Sequence, residues 1–199
     1  MVYRCACRPV EPDPQNWAAL LSGRAGKRAL RLYRLRGRQL AQSMTAELLC
    51  RELFSHLRPG EAFLPEEDEQ GKPFLPDCPL FISLSHSKGW AAAAVSDSPV
   101  GIDLQEIRQL SDRLLQRCYS SDERKWIAEG NAAERATRLW TMKEAFGKLQ
   151  GTGILLDRQF TADVVNGRLA VRYGDIRFVF PEAPKGFAFS VCLSEQTEA

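Results

Sequence analysis

Apolar residues recur along this chain in two rhythms, and the switches between them separate helices from strands. In "LLSGRAGKRALRLYRLRGRQLAQSMTAELLCRELFSHL", residues 20–57, leucines fall at helical spacing after Gly26 and stop short of Pro59, with Gly37 a candidate break. "LFISLSH", "WAAAAVS" and "VGIDLQ" are apolar runs of strand length separated by Gly, Pro, Asp and Ser, which predicts an antiparallel meander. Helix resumes in "LSDRLLQRCY". Ser120, with Glu123 three residues on, offers a capping box that opens another helix in "SSDERKWI". "AAERATRLWTMKEAFGKLQG" is the strongest helical stretch and closes on Gly151.

Strands are predicted in "VYRCACRPV" before the "EPDPQNW" turn, and again in "IRFVF" and "GFAFSVCLS". Asn166-Gly167 between alternating runs gives the best short hairpin signal. The order of helix, strands, helices and strands favours an α+β fold over a parallel βαβ sheet.

Composition narrows the function classes. The 199 residues are 44% hydrophobic, enough for a real core in one domain or two small halves. A formal charge of +2 calls for neither nucleic acid nor an acidic membrane, so electrostatic function must be local. The basic run from Arg24 to Arg38 reads first as a solvated helix face, which still leaves room for an anion site using one or two of its members. Six scattered cysteines without a CxxC pair, and only two histidines, argue against structural zinc and for free thiols in a reducing cytoplasm. No apolar run is long enough to span a bilayer, and the first residues do not resemble a signal peptide.

Candidate chemistry lies at the ends of these elements. On a strand, Asp103 and Gln105 share one face while Ile102 and Leu104 take the other. A buried acid there needs a hydrogen bond, an ion pair or a cation, although an acid capping a turn is an equally ordinary reading. On the long helix, Trp140, Glu144 and Lys148 form a stripe with Lys143 beside it, and the plain alternative is an exposed Glu–Lys pair. Ser85 and His86 end another strand, where the histidine could be a core residue, a base or an anion ligand. Lys72 sits on a Gly-Pro turn that could aim one cation at a phosphate, although it is not a Walker A loop. Together, two acids, separated cations, a histidine and small-residue turns suit a polyphosphate held with a divalent metal.

In this order, "GKPFLP", "FISLSHS", "GIDLQ" and "WTMKEAFGKLQGTG" resemble the signature blocks of 4′-phosphopantetheinyl transferases, specifically the larger single-chain type that activates peptide and polyketide synthases. The resemblance implies an α+β pseudo-dimer of two similar subdomains, here residues 1–100 and 101–199, with coenzyme A in the cleft between them. It implies magnesium and transfer of phosphopantetheine to a serine of an acyl or peptidyl carrier protein, and a duplicated fold needs no partner to complete its cleft, so a monomer is expected; the charge, the free thiols and the lack of an apolar span add the expectation of a cytoplasmic protein without nucleic-acid or membrane partners. By position, Asp103 and Glu144 correspond to metal ligands, Glu144 also to the base, and Lys148 to the lysine that stabilises pyrophosphate charge, with Lys143 nearby. Ser85 and His86 correspond to phosphate contacts and Lys72 to a nucleotide contact. On a looser alignment, Arg28, Lys27 and Ser43 correspond to further coenzyme contacts.

Gln105 departs from the pattern, which often has a glutamate there; an amide is a poorer ligand for a hard cation. It could ligate weakly, hold a metal-bound water or leave the metal to Asp103, Glu144, phosphate and water. That departure motivates a rival reading, a non-catalytic coenzyme A- or carrier-binding protein. An unrelated metal-dependent phosphodiesterase would leave "WTMKEAFGK" unexplained.

Overall fold

The computed structural model describes residues 1–10, 17, 21, 26–152, 163–165, 168–170 and 175–194. β1 (Tyr3–Pro9) leads to α1 (Lys27–Arg34) and α2 (Gly37–Leu57). The predicted helix does break: Leu35 and Arg36 are extended, and Gly37 sits at φ 52°, in the left-handed region that glycine adopts without a Cβ penalty. After β2 (Glu66–Glu67) and β3 (Pro73–Phe74) come β4 (Phe81–Ser87), β5 (Trp90–Ser96) and β6 (Val100–Glu106). The helices α3 (Asp112–Cys118), α4 (Ser121–Ala128) and α5 (Ala132–Gln150) follow, then β7 (Asp163–Val165), β8 (Arg168–Ala170), β9 (Ile176–Val179) and β10 (Phe187–Ser194). β7 and β8 pair antiparallel with Val165 opposite Arg168; Asn166 and Gly167, the predicted turn between them, lie outside the described residues, as does most of the "EPDPQNW" stretch.

Two antiparallel sheets of three strands dominate this α+β fold, in the orders β1-β5-β4 and β6-β10-β9. In each, the strand latest in the chain is central. In each, too, helices and a short two-stranded ladder separate the first strand from the last two.

The three-strand meander stops after two strands. β4 and β5 pair, with Leu84 opposite Ala93, but the other edge of β5 is taken by β1, with Cys5 opposite Ala94. Both hydrogen-bonding edges of β5 are therefore filled, and β6 pairs instead with β10, placing Asp103 opposite Ser190. β6 meets β4 through side chains. The backbone N–H groups of Ile102, Leu104 and Glu106 donate to the hydroxyl oxygens of Ser83, Ser85 and Ser87 at 3.0, 3.1 and 3.2 Å.

The core is divided by these surfaces. Phe54, Leu49, Ile82 and Val95 pack between α2 and the first sheet, whereas Ala92 and Ala94 pack with Ile102, Leu104, Phe189 and Val191 of the second. Trp126, Leu139 and Met142 hold α4 to α5. The Ser120–Glu123 capping box forms with both of its bonds, so α4 begins where its sequence requires. Where α5 crosses β6, a Cβ at Gly101 would overlap the Ala145 carbonyl oxygen and press on the Leu149 amide. Glycine lets the helix backbone reach the strand, and that approach sets α5 beside Asp103.

Candidate active site

A cavity of about 380 Å³ opens over β4 and β6 and is lined also by α1, α5 and the turn between β2 and β3. Arg28, Lys72, Ser85, His86, Asp103, Gln105, Glu144 and Lys148 all line it, with Ser43 and Arg31. Four cations, Arg28, Arg31, Lys72 and Lys148, thus share this wall with two carboxylates.

Alternation along β6 operates as predicted. Ile102 and Leu104 are fully buried in the apolar core, and Asp103 and Gln105 reach the cavity. Asp103 is 7% exposed, and its Oδ1 accepts hydrogen bonds from the Ser85 hydroxyl at 2.7 Å and the Lys148 ammonium at 2.9 Å. Its Oδ2 is buried without a hydrogen-bond partner among the described residues. Such an oxygen is costly unless something positive meets it. Glu106 faces elsewhere and pairs with Lys88 at 3.8 Å.

Glu144 and Lys148, one helical turn apart, bring the second acid and its cation to the same wall. Burial, reinforced by the Asp103 charge and only partly offset by Lys148, pushes the Glu144 carboxyl up to about 7. His86 is accessible from the cavity, yet the surrounding protein strips enough water, with Lys148 adding repulsion, to lower its pKa and favour the neutral ring. Burial also lowers the pKa of Lys72, against the pull of Asp68; its ammonium donates to the Leu149 carbonyl at 2.6 Å, closing the C-terminal end of α5.

Arg28 is 3% exposed and held by Glu47, which is fully buried. Glu67 lies 3.9 Å from Arg28 and 3.1 Å from Arg31. The cations at this end are therefore balanced within the protein.

Lys143 is a predicted site residue that does not line the cavity. Its ammonium donates to the Cys118 carbonyl at 3.0 Å and to Glu123 at 2.9 Å and lies over the Tyr119 ring, fastening the junction of α3 and α4 to α5. The helix explains this, because successive side chains point about 100° apart and Glu144 already faces the cavity. Lys27 is absent from the lining as well.

Arg31, Gly101 and the serine ladder were missed in the sequence. Arg31 stands one turn beyond Arg28, a glycine inside a strand marks close backbone approach, and serines at alternate positions of "SLSHS" share one face. Each carried a readable signal.

The orphaned Asp103 oxygen and the neighbouring Glu144 suit a hard divalent cation. Among the described residues no cluster of three or more His, Cys, Asp or Glu could hold one, so the remaining positions would fall to water, substrate oxygens or the Gln105 amide.

Fold and cavity together define an α+β protein with an acid-and-cation pocket built against two sheets. Residues 99–192 match the model for the 4′-phosphopantetheinyl transferase superfamily. The chain is 36% identical over 119 residues to the 4′-phosphopantetheinyl transferase psf-1 of Bacillus pumilus, covering 57% of this chain and 51% of that one. To the 4′-phosphopantetheinyl transferase gsp of Aneurinibacillus migulanus it is 31% identical over 120 residues, 58% of this chain and 50% of the relative. The 4′-phosphopantetheinyl transferase Sfp of Bacillus subtilis is 34% identical over 92 residues, 44% and 41% of the two chains. The chain spans about half the length of the curated relatives it matches. Among the described residues no helix is long and apolar enough to cross a membrane.

Proposed function

We propose that this protein transfers the 4′-phosphopantetheine arm of coenzyme A to a serine of an acyl or peptidyl carrier protein, releasing adenosine 3′,5′-bisphosphate. One observation carries the reading: Lys72, Ser85, His86, Asp103, Glu144 and Lys148, from four separated sequence blocks, line a single cavity. The relatives named above are transferases by name, and they lend no support to a non-catalytic binding protein.

In this reading the serine oxygen forms a bond to the phosphorus nearest pantetheine as the bond from that phosphorus to the leaving bisphosphate oxygen breaks. Glu144 accepts the serine proton directly or through water. Lys148 meets the charge that develops on the pyrophosphate, while Arg28, Arg31, Lys72 and His86 hold the nucleotide end. Magnesium is the metal we assign to Asp103 and Glu144, with Gln105 as a weak ligand or the holder of a metal-bound water; when bound it would offset phosphate charge.

The matching strand order of the two sheets supports reading the chain as two related halves, residues 1–100 and 101–199, with the cavity between them. Within that duplication the cleft needs no second copy, so we assign a monomer. All six cysteines are free, which fits a reducing cytoplasm. The acceptors that fit the family resemblance are carrier domains of peptide or polyketide synthases.

The test is to incubate the protein with coenzyme A, magnesium and a set of apo carrier proteins and weigh the carriers. Each competent carrier should gain one phosphopantetheine; no gain on any carrier would refute the activity.

A further inference from the structure

We propose that Asp68 is a positioning residue for the nucleotide end of the coenzyme, bracing the turn from which Lys72 enters the cavity. The inference rests on the reading of this cavity as a coenzyme A site and deepens it. Asp68 does not itself line the cavity, so it can act there only through the residues it holds.

The turn between β2 and β3 is closed by three residues with different parts. Gly71 takes φ 83°, in the left-handed region open to glycine. Pro73 pushes the Lys72 backbone before it towards extended geometry. Asp68 sets how tightly the chain folds back, since a short acidic side chain can reach amides a few residues further on. Its Oδ1 accepts the Gln70 N–H at 3.0 Å and the Lys72 N–H at 2.8 Å, and its carbonyl oxygen accepts the Gly71 N–H at 3.1 Å. Its own N–H donates to the Lys72 carbonyl at 3.0 Å. Gln70, Gly71 and Lys72 are consecutive residues of the cavity lining, and each is tied to this one residue outside it.

Lys72 is the charge that the turn carries. Its side chain runs close to the end of α5, where a Cβ at Gly151 would lie 3.5 Å from Lys72 Cδ, and its ammonium donates to the Leu149 carbonyl at 2.6 Å. A flexible four-carbon stem delivers an ammonium to one place only from a fixed backbone. Without the Asp68 carboxylate the turn loses two charge-assisted bonds and the ammonium ranges more widely. That loss falls on affinity at the nucleotide end and spares the reacting phosphorus. Asp68 also attracts Lys72 as a charge. Shape and charge are separable, because asparagine keeps the accepting oxygen without the charge and glutamate keeps the charge while moving the oxygen by one methylene.

The experiment titrates coenzyme A and adenosine 3′,5′-bisphosphate into the full chain by calorimetry at neutral pH, with no carrier present. Asp68→Ala and Asp68→Glu should each raise the dissociation constants of both ligands about tenfold, the effect of losing about one charge-assisted hydrogen bond. Asp68→Asn should stay within about twofold of wild type, since its oxygen accepts the same two N–H groups. Added to Lys72→Met, Asp68→Ala should cause no further loss. In carrier modification, Asp68→Ala should raise KM for coenzyme A and leave kcat in place. Wild-type affinity in Asp68→Ala would overturn the proposal, as would a loss for coenzyme A that the bisphosphate does not share. Normal binding by Asp68→Glu with poor binding by Asp68→Asn would overturn it in favour of a charge effect. A full further loss on top of Lys72→Met would overturn it in favour of a route that bypasses Lys72. If the wild-type protein binds neither ligand, the coenzyme reading falls and this proposal falls with it; if only the Asp68 variants are indifferent, the coenzyme reading stands and this proposal alone falls.

Discussion

Arg28 and Asp103 are both charged residues buried in the wall of one cavity, and their surroundings differ in completeness. Arg28 is clasped by Glu47 with Glu67 close by, so its charge is answered inside the fold. Asp103 shares a single oxygen between Ser85 and Lys148 and keeps the other unmet, next to a second acid whose carboxyl is raised to about 7. A buried ion pair that closes on itself helps define a scaffold; a buried carboxylate left half-satisfied stores a cost that a ligand can relieve. The comparison separates a closed end of the cavity, where a cation is met by carboxylates, from an open end, where a carboxylate oxygen is left unmet.

The largest expected effect lies at the incomplete end. Asp103→Asn and Glu144→Gln should each lower carrier modification at least about 100-fold, read by carrier mass, with little change in thermal unfolding. Near-normal rates in either would erase the distinction. At the complete end the order should reverse. Glu47→Gln leaves the Arg28 guanidinium buried against a neutral amide and should cost about 3 kcal/mol in urea unfolding. An unchanged midpoint would show that the Arg28 clasp contributes nothing to stability.

The two lysines of α5 sharpen the contrast at a smaller scale. Lys143→Met breaks the contact with Glu123 and should cost about 1–2 kcal/mol in stability while lowering transfer less than Lys148→Met does. The reverse ranking in transfer would return Lys143 to the coenzyme.

The smallest effect is in pH. The Glu144 carboxyl stands near 7 in the fold against an ordinary value of 4.5, so the folded protein retains a proton that the unfolded chain releases between those values. Its contribution to stability is fully present below about 4.5 and is lost as pH rises through 7. In chelator, wild-type unfolding should weaken across that window relative to Glu144→Gln; parallel profiles would mean that Glu144 is ionised throughout.

Much of this was legible because it is local. The period of "WTMKEAFGK" places Glu144 and Lys148 on one stripe, alternation sends Asp103 and Gln105 to one face, and the Ser120 capping box and the break before Gly37 follow from side-chain and backbone chemistry within a few residues. The meander failed because β5 and β6 choose partners from distant parts of the chain, β1 and β10, and the alanine run of β5 carries no mark of which edge is filled. Lys143 is a related case. Its sequence neighbour is Glu144, while the carboxylate that holds it, Glu123, belongs to another helix. Lys72 was placed at the cavity by its turn, but its bond to Leu149 joins residues no local pattern relates.

The serine ladder has a further consequence, for solubility. β4 and β6 are terminal strands of their respective sheets, and terminal strands offer unpaired amides on which another chain can align. Along β6 three such amides are already occupied by hydroxyls from β4. Small polar side chains thus close two vulnerable margins against strand addition without fusing them into a continuous sheet, which guards the protein against self-association at the margin that bears its acid.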